Sequence, residues 1–310
     1  MAKYLVTGGA GFIGSHITEE LLKRGDEVRI LDNFLTGKRE NLNSVFNSIE
    51  LIEGDIRDLE MCRKAAKGID YILHQAALPS VPRSISDPLT SNEINITGTL
   101  NVLISAHEQG VQNFILASSS SVYGDDPRLP KKVGQEGVPL SPYALNKLAG
   151  EKYCQIFSKI HGLPTVCLRY FNVFGPRQDP FSQYAAVIPL FITKMLKNEQ
   201  PTIFGDGEQS RDFSYISNVV DANILASLAK NVSGEVMNVA CGVRTTVNAL
   251  VDNINVLIES EIQASYEESR PGDVRHSHAD ILKAEQLLNY KPTVTFNEGL
   301  KRTLSWYRNQ

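Results

Sequence analysis

The sequence lacks the features of several protein classes. Its 310 residues include only four cysteines, Cys62, Cys154, Cys167 and Cys241, and no two of them lie within ten positions of each other. This spacing excludes a CxxC metal or redox pair, and free thiols in a reducing cytosol are expected. No apolar run approaches the ~18 residues of a membrane-spanning helix. The first residues also lack the basic and apolar regions of a secretory signal. These absences predict a cytoplasmic protein with no membrane partner.

The chain also lacks an excess of basic residues. Lys and Arg together number 31 against 35 for Asp and Glu, which gives a net charge of −4. This balance argues against a nucleic-acid partner, but a small anionic ligand needs only one or two local cations. Among the six histidines only the His276-x-His278 pair has a ligand-like spacing, and we interpret it as incidental. No metal site is predicted.

Short apolar runs alternate with helical patterns over the first 170 residues. Strands are predicted at 4–6, 28–31, 49–52, 71–73, 114–117 and 165–168, and helices at 12–23, 59–67, 95–107 and 143–161. Such alternation is typical of βαβ units, so we expect an α/β fold with a Rossmann-type, doubly wound parallel sheet.

Proline and glycine become more frequent after residue 170. Helices are predicted there at 189–197, 218–229, 247–259 and 279–288. Because no linker separates the two parts, we expect a cofactor domain at 1–170 and a smaller α/β substrate-binding lobe at 171–310, with interleaved segments.

A glycine-rich turn follows the first predicted strand and opens the first helix. Gly8, Gly11 and Gly14 are its fixed points. Glycines permit a tight turn and close approach of a pyrophosphate, and a helix N-terminus favours anions. A turn without a ligand is the alternative for the motif alone. Asp32, 18 residues after Gly14, ends the second strand. It would accept hydrogen bonds from a ribose diol and repel a 2′-phosphate, which favours NAD over NADP. Asp55 would reach the adenine.

A YxxxK pair begins the helix predicted at 143–161. Tyr143 and Lys147 are four residues apart and share one helix face. A nearby ammonium lowers the pKa of a phenol, which would let Tyr143 take a proton from a substrate hydroxyl near neutral pH. A surface pair is the commoner explanation of YxxxK alone. The serine run 118–121 ends the fifth strand, where hydroxyls point into the ligand crevice of such folds.

Motifs along nearly the whole chain resemble those of one family. They are VTGGAGFIGSH, LDNFLTG, HQAA, SSSSVYGDDP, SPYALNK, LRYFNVFGPRQ, IFGDGEQSRDFSYI and RPGDVRHSHAD. In this order they resemble the extended short-chain dehydrogenases/reductases, in the UDP-sugar 4-epimerase branch and closest to UDP-N-acetylglucosamine 4-epimerases.

The resemblance implies NAD as cofactor and a UDP-sugar as substrate. Tyr143 would remove the proton of the sugar 4-hydroxyl while a hydride passes from C4 to NAD, and the 4-keto sugar would turn before the hydride returns to its other face. Lys147 would lower the pKa of Tyr143 and hold the nicotinamide ribose, and Ser119 is the aligned catalytic serine. The implied cofactor positions are Gly8, Gly11, Phe12, Ile13, Gly14, Asp32, Asn33, Gly37, Asp55, Ile56, Gln75, Ala76, Ala77, Asn95, Lys147 and Tyr170.

The reaction type follows from two positions that lack carboxylates. Related 4,6-dehydratases carry an Asp-Glu pair after the active-site hydroxyl residue, and related decarboxylases carry a glutamate two residues before the tyrosine of VYG. Ser120 and Ser121 stand there in this chain. Neither can act as a carboxylate acid or base, so simple epimerisation remains.

The resemblance also implies a set of substrate positions. Arg211 and Arg270 would grip the diphosphate through their planar forks of donors. Ile203, Phe204 and Gly205 would flank the uracil. The set also comprises Ser80, Val81, Arg83, Ser119, Ser120, Ser121, Tyr143, Asn172, Ala186, Val187, Asp273 and Ser277.

Ser277 bears on the size of the sugar. Members restricted to plain hexoses carry tyrosine at the aligned position, so a serine implies room for a 2-N-acetyl group. UDP-N-acetylglucosamine 4-epimerisation is therefore the first hypothesis. UDP-glucose and UDP-glucuronate 4-epimerisation remain alternatives, as does a non-catalytic NAD-sensing regulator. The resemblance further implies a homodimer through the helices at about 95–109 and 143–161.

Overall fold

The structure, a computed structural model, describes residues 1–180, 186–269 and 274–310. Its strands are Lys3–Thr7 (β1), Glu27–Asp32 (β2), Ile49–Glu53 (β3), Tyr71–His74 (β4), Asn113–Ser119 (β5), Thr165–Tyr170 (β6), Val173–Phe174 (β7), Thr202–Phe204 (β8), Ser210–Arg211 (β9), Ser214–Tyr215 (β10), Glu235–Val239 (β11), Thr245–Thr246 (β12) and Ser265–Glu267 (β13). Its α-helices are Phe12–Lys23 (α1), Leu59–Ala66 (α2), Val81–Ser86 (α3), Pro88–Asn92 (α4), Thr99–Glu108 (α5), Pro142–His161 (α6), Val187–Leu196 (α7), Ile216–Leu228 (α8), Val247–Ile258 (α9), Leu282–Leu288 (α10) and Phe296–Arg308 (α11).

A seven-stranded parallel sheet organises the molecule. Its strand order is β11-β6-β5-β4-β1-β2-β3. β1 pairs with β2 on one side and with β4 on the other, so Thr7 has Leu31 and His74 as its two register partners. The chain reverses its direction of travel across the sheet at this point, and in open α/β sheets the ligand crevice lies there, beyond the carboxyl ends of the strands.

Helices cover both faces of the sheet. Alternate side chains of a strand point to opposite faces, so Tyr4 and Val6 belong to one hydrophobic cluster and Leu5 to another. The first cluster includes Ile17 of α1 and the second includes Val102 of α5. Burial of both faces explains why the strands are almost continuously apolar.

The predicted α/β, Rossmann-type fold is confirmed. All six predicted strands are present, and the sheet contains a seventh, β11, which pairs with β6. Because β11 comes from beyond residue 170, this sheet draws strands from both predicted segments. The division at residue 170 itself stays a prediction.

The remaining differences concern short or late elements. α3 and α4 lie in a stretch where no helix was predicted, and α11 follows the last predicted helix. A side chain caps the N-terminus of each short helix. The Ser80 side chain accepts a hydrogen bond from the backbone N–H of Arg83 in α3, and the Asp87 side chain accepts one from the backbone N–H of Thr90 in α4. The helix predicted at 95–107 begins with a π-helical turn, Glu93–Gly98, before α5.

Membrane-spanning helices and metal-binding clusters are absent from the described residues. No helix in residues 1–180, 186–269 and 274–310 is long and apolar enough to cross a membrane. In the same residues no group of three or more His, Cys, Asp and Glu side chains is placed to hold a metal ion.

Candidate active site

A cavity of about 800 Å³ opens beyond the carboxyl ends of β1, β2 and β4. This volume is within the range of small-molecule and cofactor sites. It brings together most of the predicted cofactor positions with both members of the YxxxK pair. The predicted residues in its lining are Gly8, Gly11, Phe12, Ile13, Gly14, Asp32, Asn33, Gly37, Asp55, Ile56, Gln75, Ala76, Ala77, Ser80, Arg83, Tyr143, Lys147, Tyr170 and Ala186.

The glycine turn is packed too closely for side chains. Gly8 has φ +68°, and a Cβ there would lie 2.8 Å from the backbone of Ala76. A Cβ on Gly14 would lie 2.2 Å from the Gly8 carbonyl oxygen, closer than any nonbonded contact tolerates. The first turn of α1 therefore sits directly on the loop, and Phe12, Ile13 and Gly14 of that turn line the cavity. The free N–H groups of a helix N-terminus favour an anion such as a pyrophosphate.

Two carboxylates lie at the ends of β2 and β3. Asp32 is buried and accepts the N–H groups of Ala10 and Phe34 at 2.9 and 2.8 Å. Burial raises the pKa of Asp32, and these two hydrogen bonds act in the opposite direction. Asp55 is more open. Its hydrogen bonds with Arg57, chiefly from the guanidinium, lower its pKa to about 2. Both are acceptors in the wall of the cavity, and Asp55 is firmly ionised.

A chain of buried hydrogen bonds shapes the loop after β4. Thr99 Oγ1 donates to the Asn95 carbonyl at 2.8 Å, so it accepts from His74 Nε2 at 3.0 Å. His74 Nδ1 is then the acceptor for Thr7 Oγ1 at 2.7 Å. Burial lowers the pKa of His74 to about 3, so the ring is neutral and one tautomer is fixed.

Asn95 completes this chain. Its Oδ1 accepts from the N–H of Leu78 at 2.7 Å and its Nδ2 donates to the Leu78 carbonyl at 3.1 Å. These two bonds fix the loop after β4. Asn95 is not one of the described residues that line the cavity. Gln75 and Tyr170 do line the cavity, and the Tyr170 hydroxyl donates to Gln75 Oε1 at 3.1 Å.

Tyr143 and Lys147 lie on the first two turns of α6. The Tyr143 N–H donates to Ser84 Oγ at 3.1 Å, which ties the start of α6 to α3. Lys147 is buried, and its Nζ donates to the Ala117 carbonyl at 2.8 Å and lies 5.9 Å from the centre of the Tyr143 ring. The pair thus shares the cavity wall as its spacing predicted.

The pKa directions differ from the expectation that Lys147 lowers the pKa of Tyr143. Burial raises the pKa of Tyr143, and a hydrogen bond with Ser119 opposes that rise. Burial lowers the pKa of Lys147 to about 8, while Glu151 opposes this fall. Desolvation outweighs the charge interaction in this arrangement because both groups are withdrawn from water.

The serine run turns its hydroxyls in different directions. Ser118 Oγ donates to Glu151 at 2.5 Å, and Ser119 Oγ accepts from the Ser121 N–H at 3.1 Å. Ser121 Oγ is buried with no hydrogen-bond partner among the described residues. An orphaned buried hydroxyl is costly unless a ligand satisfies it.

The predicted substrate positions divide into two groups. Ser80, Arg83, Tyr143 and Ala186 line the cavity, and Ser80 has an unusual φ of +103°. The others are outside the cavity lining of the described residues: Val81, Ser119, Ser120, Ser121, Asn172, Val187, Ile203, Phe204, Gly205, Arg211 and Ser277. Arg270 and Asp273 lie outside the described residues.

Several of the predicted substrate positions outside the cavity lining lie on paired strands or next to them. Ile203 and Phe204 lie on β8, which pairs with β13. Arg211 lies on β9, and the Ser277 N–H donates to the carbonyl of neighbouring Ser210 at 2.9 Å. Strand pairing thus joins the segments that carry Arg211 and Ser277.

The predicted site residues leave out several cavity residues, among them Lys38, Arg177, Gln178 and Asp179. Arg177 reaches from after β7 to bond Ser15 and Glu19 of α1. Lys38 and Asp179 form an ion pair at 3.6 Å. Lys38 directly follows the predicted Gly37, and Arg177 stands in the LRYFNVFGPRQ motif, so both had a local signal.

The chain matches known proteins over most of its length. The profile of the NAD dependent epimerase/dehydratase family matches residues 4–240. A UDP-N-acetylglucosamine 4-epimerase structure from Methanobrevibacter ruminantium M1, in complex with UDP-N-acetylmuramic acid, is 43% identical with a TM-score of 0.95, covering 100% of this chain and 99% of that chain. For a UDP-glucose 4-epimerase of Thermotoga maritima with UDP-glucose, the identity is 38% and the TM-score 0.94, with 99% of each chain covered. A protein of Methanocaldococcus jannaschii, provisionally named a UDP-glucose 4-epimerase, is 42% identical over 98% of each chain.

The packing of Gly14 against Gly8 generates a prediction for Gly14→Ala. The added methyl group meets backbone atoms that cannot rotate away, so loop and helix must separate. We expect a loss of about 1 to 3 kcal/mol of stability, and we expect the variant to retain much less dinucleotide through purification than the unaltered protein. Thermal unfolding and chromatography of nucleotide released on denaturation measure the two effects.

Gly150→Ala is the matched control within a helix. Its Cβ would meet only side-chain atoms, the nearest being Leu116 at 3.3 Å. Dinucleotide content should stay at the level of the unaltered protein. Equal content in Gly14→Ala would contradict the assignment of this turn.

Proposed function

Because this chain belongs to the NAD-dependent epimerase/dehydratase family, in which it is a UDP-sugar 4-epimerase, we propose that it interconverts UDP-N-acetylglucosamine and UDP-N-acetylgalactosamine. The observation that carries the acetylated pair is the small side chain at Ser277. The 43% identity to an enzyme named for the same sugar supports it.

The cavity fits NAD by its own features. The glycine turn has no room for side chains, and Asp32 and Asp55 are acceptors in its wall. We propose that the glycine turn holds the pyrophosphate, Asp32 the adenosine ribose, Asp55 the adenine and Lys147 the nicotinamide ribose. When bound, NAD accepts a hydride from C4 of the sugar and returns it.

We assign the proton to Tyr143. As the phenolate, Tyr143 takes the proton of the sugar 4-hydroxyl on its Oη, and the resulting phenol gives that proton back after the 4-keto sugar has turned, so no net oxidation occurs. Ser119, whose side chain opposes the rise in the pKa of Tyr143, would orient the same sugar oxygen. Since burial raises the pKa of Tyr143, the cationic Lys147 is needed to favour the phenolate.

We place the UDP group along the segments outside the cavity lining. Arg211 and Arg270 would bind the diphosphate, with Ile203, Phe204 and Gly205 beside the uracil. Asn172, Ala186, Val187 and Asp273 complete the proposed contacts. Ser80, Val81, Arg83, Ser120 and Ser121 would surround the sugar. The unsatisfied Ser121 hydroxyl supports this placement.

UDP-glucose and UDP-galactose are the second candidate pair. Two of the matching proteins carry names based on UDP-glucose. A plain hexose is smaller than its acetylated counterpart, so a pocket with room for the acetyl group would also admit UDP-glucose. The two hypotheses therefore differ in relative kcat/KM.

A side-by-side assay tests the proposed sugar. Purified protein without added cofactor is incubated with UDP-N-acetylglucosamine, UDP-glucose or UDP-glucuronate, and products are separated by chromatography. We expect kcat/KM for the acetylated sugar to be the largest of the three. Tyr143→Phe should lose nearly all turnover. A higher kcat/KM for UDP-glucose, or for UDP-glucuronate, would transfer the assignment to that sugar.

Ser277→Tyr tests the basis of the preference. The larger ring should fill the space of the 2-N-acetyl group, so we expect kcat/KM for UDP-N-acetylglucosamine to fall by about 100-fold or more, corresponding to about 3 kcal/mol. UDP-glucose turnover should change little. Ser277→Ala keeps the space and should retain both activities. Equal losses on both sugars in Ser277→Tyr would contradict a role for residue 277 in sugar size.

We also propose a homodimer through α5 and α6. Ile156 and Ile160 are 46% and 69% exposed and lie four residues apart on one face of α6. Leu145 and Leu89 add exposed apolar surface on α6 and α4. Apolar side chains grouped in this way are typical of a surface covered by a partner.

Ile160→Glu tests this association. A buried charge without a partner is costly, so we expect the sedimentation coefficient to fall to that of a monomer. Val256→Glu is the matched control, because Val256 is 78% exposed on α9 and lies away from the proposed interface. A monomeric unaltered protein, or an unchanged Ile160→Glu dimer, would contradict the proposal.

A further inference from the structure

The helix that carries Tyr143 and Lys147 presents a third polar side chain on the same face. Glu151 follows Lys147 by four residues, so the three groups lie one turn apart along α6. Tyr143 and Lys147 line the cavity, whereas Glu151 is fully buried with 0% exposure. No motif in the sequence drew attention to it.

Both carboxylate oxygens of Glu151 accept hydrogen bonds. Its Oε1 accepts from Ser118 Oγ at 2.5 Å and from Arg169 Nε at 2.8 Å, and its Oε2 accepts from Arg169 Nη2 at 2.7 Å. The paired Arg169 contacts fix both oxygens, as in a bidentate ion pair. Arg169 also bonds Glu136 and lies over the Tyr123 ring at 4.8 Å.

The same strand end receives both Lys147 and Glu151. Lys147 Nζ donates to the carbonyl of Ala117, and the next residue, Ser118, donates its hydroxyl to Glu151. The chain then continues into Ser119, whose side chain opposes the rise that burial causes in the pKa of Tyr143. One helix face and one strand end are therefore joined twice, directly behind the cavity wall.

We propose that Glu151 is a positioning residue for the epimerisation: it fixes the end of β5 against α6 and supplies the buried negative charge that keeps Lys147 cationic. This inference rests on the role given to Lys147 under the proposed function. It does not depend on which UDP-sugar is preferred.

The electrostatic part follows from the groups around Lys147. Burial lowers the pKa of its ammonium to about 8, and Glu151 is the charge that opposes the fall. His74 on β4 is neutral because burial lowers its pKa to about 3, and Tyr143 is a neutral phenol because burial raises its pKa. Arg83 is a further cationic side chain that lines the same cavity as Lys147.

Removal of the Glu151 carboxylate would change the surroundings of two cations, Lys147 and Arg169. Lys147 would lose the anion that opposes the fall in its pKa, and Arg169 on β6 would keep Glu136 as its charged partner among the described residues. Both changes disfavour a second cation nearby, so the lysine would lose its proton at lower pH. A hydrogen-bonding role alone would predict no such change when Gln replaces Glu, since Gln still offers an acceptor to Ser118.

The experiment uses Glu151→Gln in the holoenzyme. Lysine is labelled with ¹³C at Cε, its resonances are followed against pH, and the Lys147 signal is assigned by its loss in Lys147→Met. We expect Lys147 in Glu151→Gln to titrate about one pH unit or more lower than in the unaltered enzyme. The basic limb of kcat/KM, measured with whichever UDP-sugar the enzyme turns over, should shift in the same direction.

Asn218→Ala is a control for loss of buried polar contacts. Asn218 Nδ2 donates to the Val294 carbonyl and its Oδ1 accepts from the N–H of Thr293, far from Lys147 in the sequence. It should lower the melting temperature without moving either titration. If Glu151→Gln does not fold, the Glu151→Gln/Arg169→Gln double variant removes both buried charges, and a smaller shift in the same direction is expected.

An unshifted Lys147 titration in the variant that folds would overturn the inference. A shifted titration with an unshifted kcat/KM profile would also overturn it, and with it the catalytic role of Lys147. A preference for UDP-glucose in the side-by-side assay would overturn only the proposed sugar.

Discussion

The pairing of β1 with strands on both sides is the constraint on which the site depends. β2 and β4 flank β1 on opposite sides. The loops that follow these two strands therefore diverge and leave a crevice beyond Thr7, at the carboxyl end of β1. The glycine turn fills the base of this crevice, and Gly8 lies against Ala76. Any side chain at Gly8 or Gly14 would push apart the walls that the sheet has brought together.

Buried polar side chains then hold those walls in place. Unpaired polar groups in a protein interior cost about 1 to 3 kcal/mol each. The chain from Thr7 through His74 and Thr99 to Asn95 is therefore restricted to one set of partners. The Arg169–Glu151 ion pair does the same between β6 and α6. The face of α6 that carries Tyr143 and Lys147 is thus supported by Arg169 and Glu151, which lie outside the cavity lining.

Local patterns predicted the parts of the site that depend on local geometry. Gly8, Gly14 and Asp32 are set by a strand, a turn and a fixed distance along the chain, and all three line the cavity. β11 was missed because it is recognisable as a strand of this sheet only by its pairing with β6. Arg177 was missed as a cavity residue because its partners on α1 lie about 160 positions earlier. The pKa of Tyr143 was expected to fall because spacing reveals a neighbouring charge but not the depth of burial.

Under the proposed function, the hydrogen bonds around Ser277 explain how related chains with this fold could accept different sugars. The segment that carries Ser277 is held to β9 by main-chain hydrogen bonds, from Ser277 to Ser210 and from Ser210 to Arg275. These bonds do not involve the Ser277 side chain, so residue 277 can change in size while the backbone keeps its place. Tyr143 and Lys147 are held by α6 and β5, which share no such bond with the described part of this segment. Under the proposed function, sugar size and proton transfer therefore depend on different parts of the fold, and one can vary without disturbing the other.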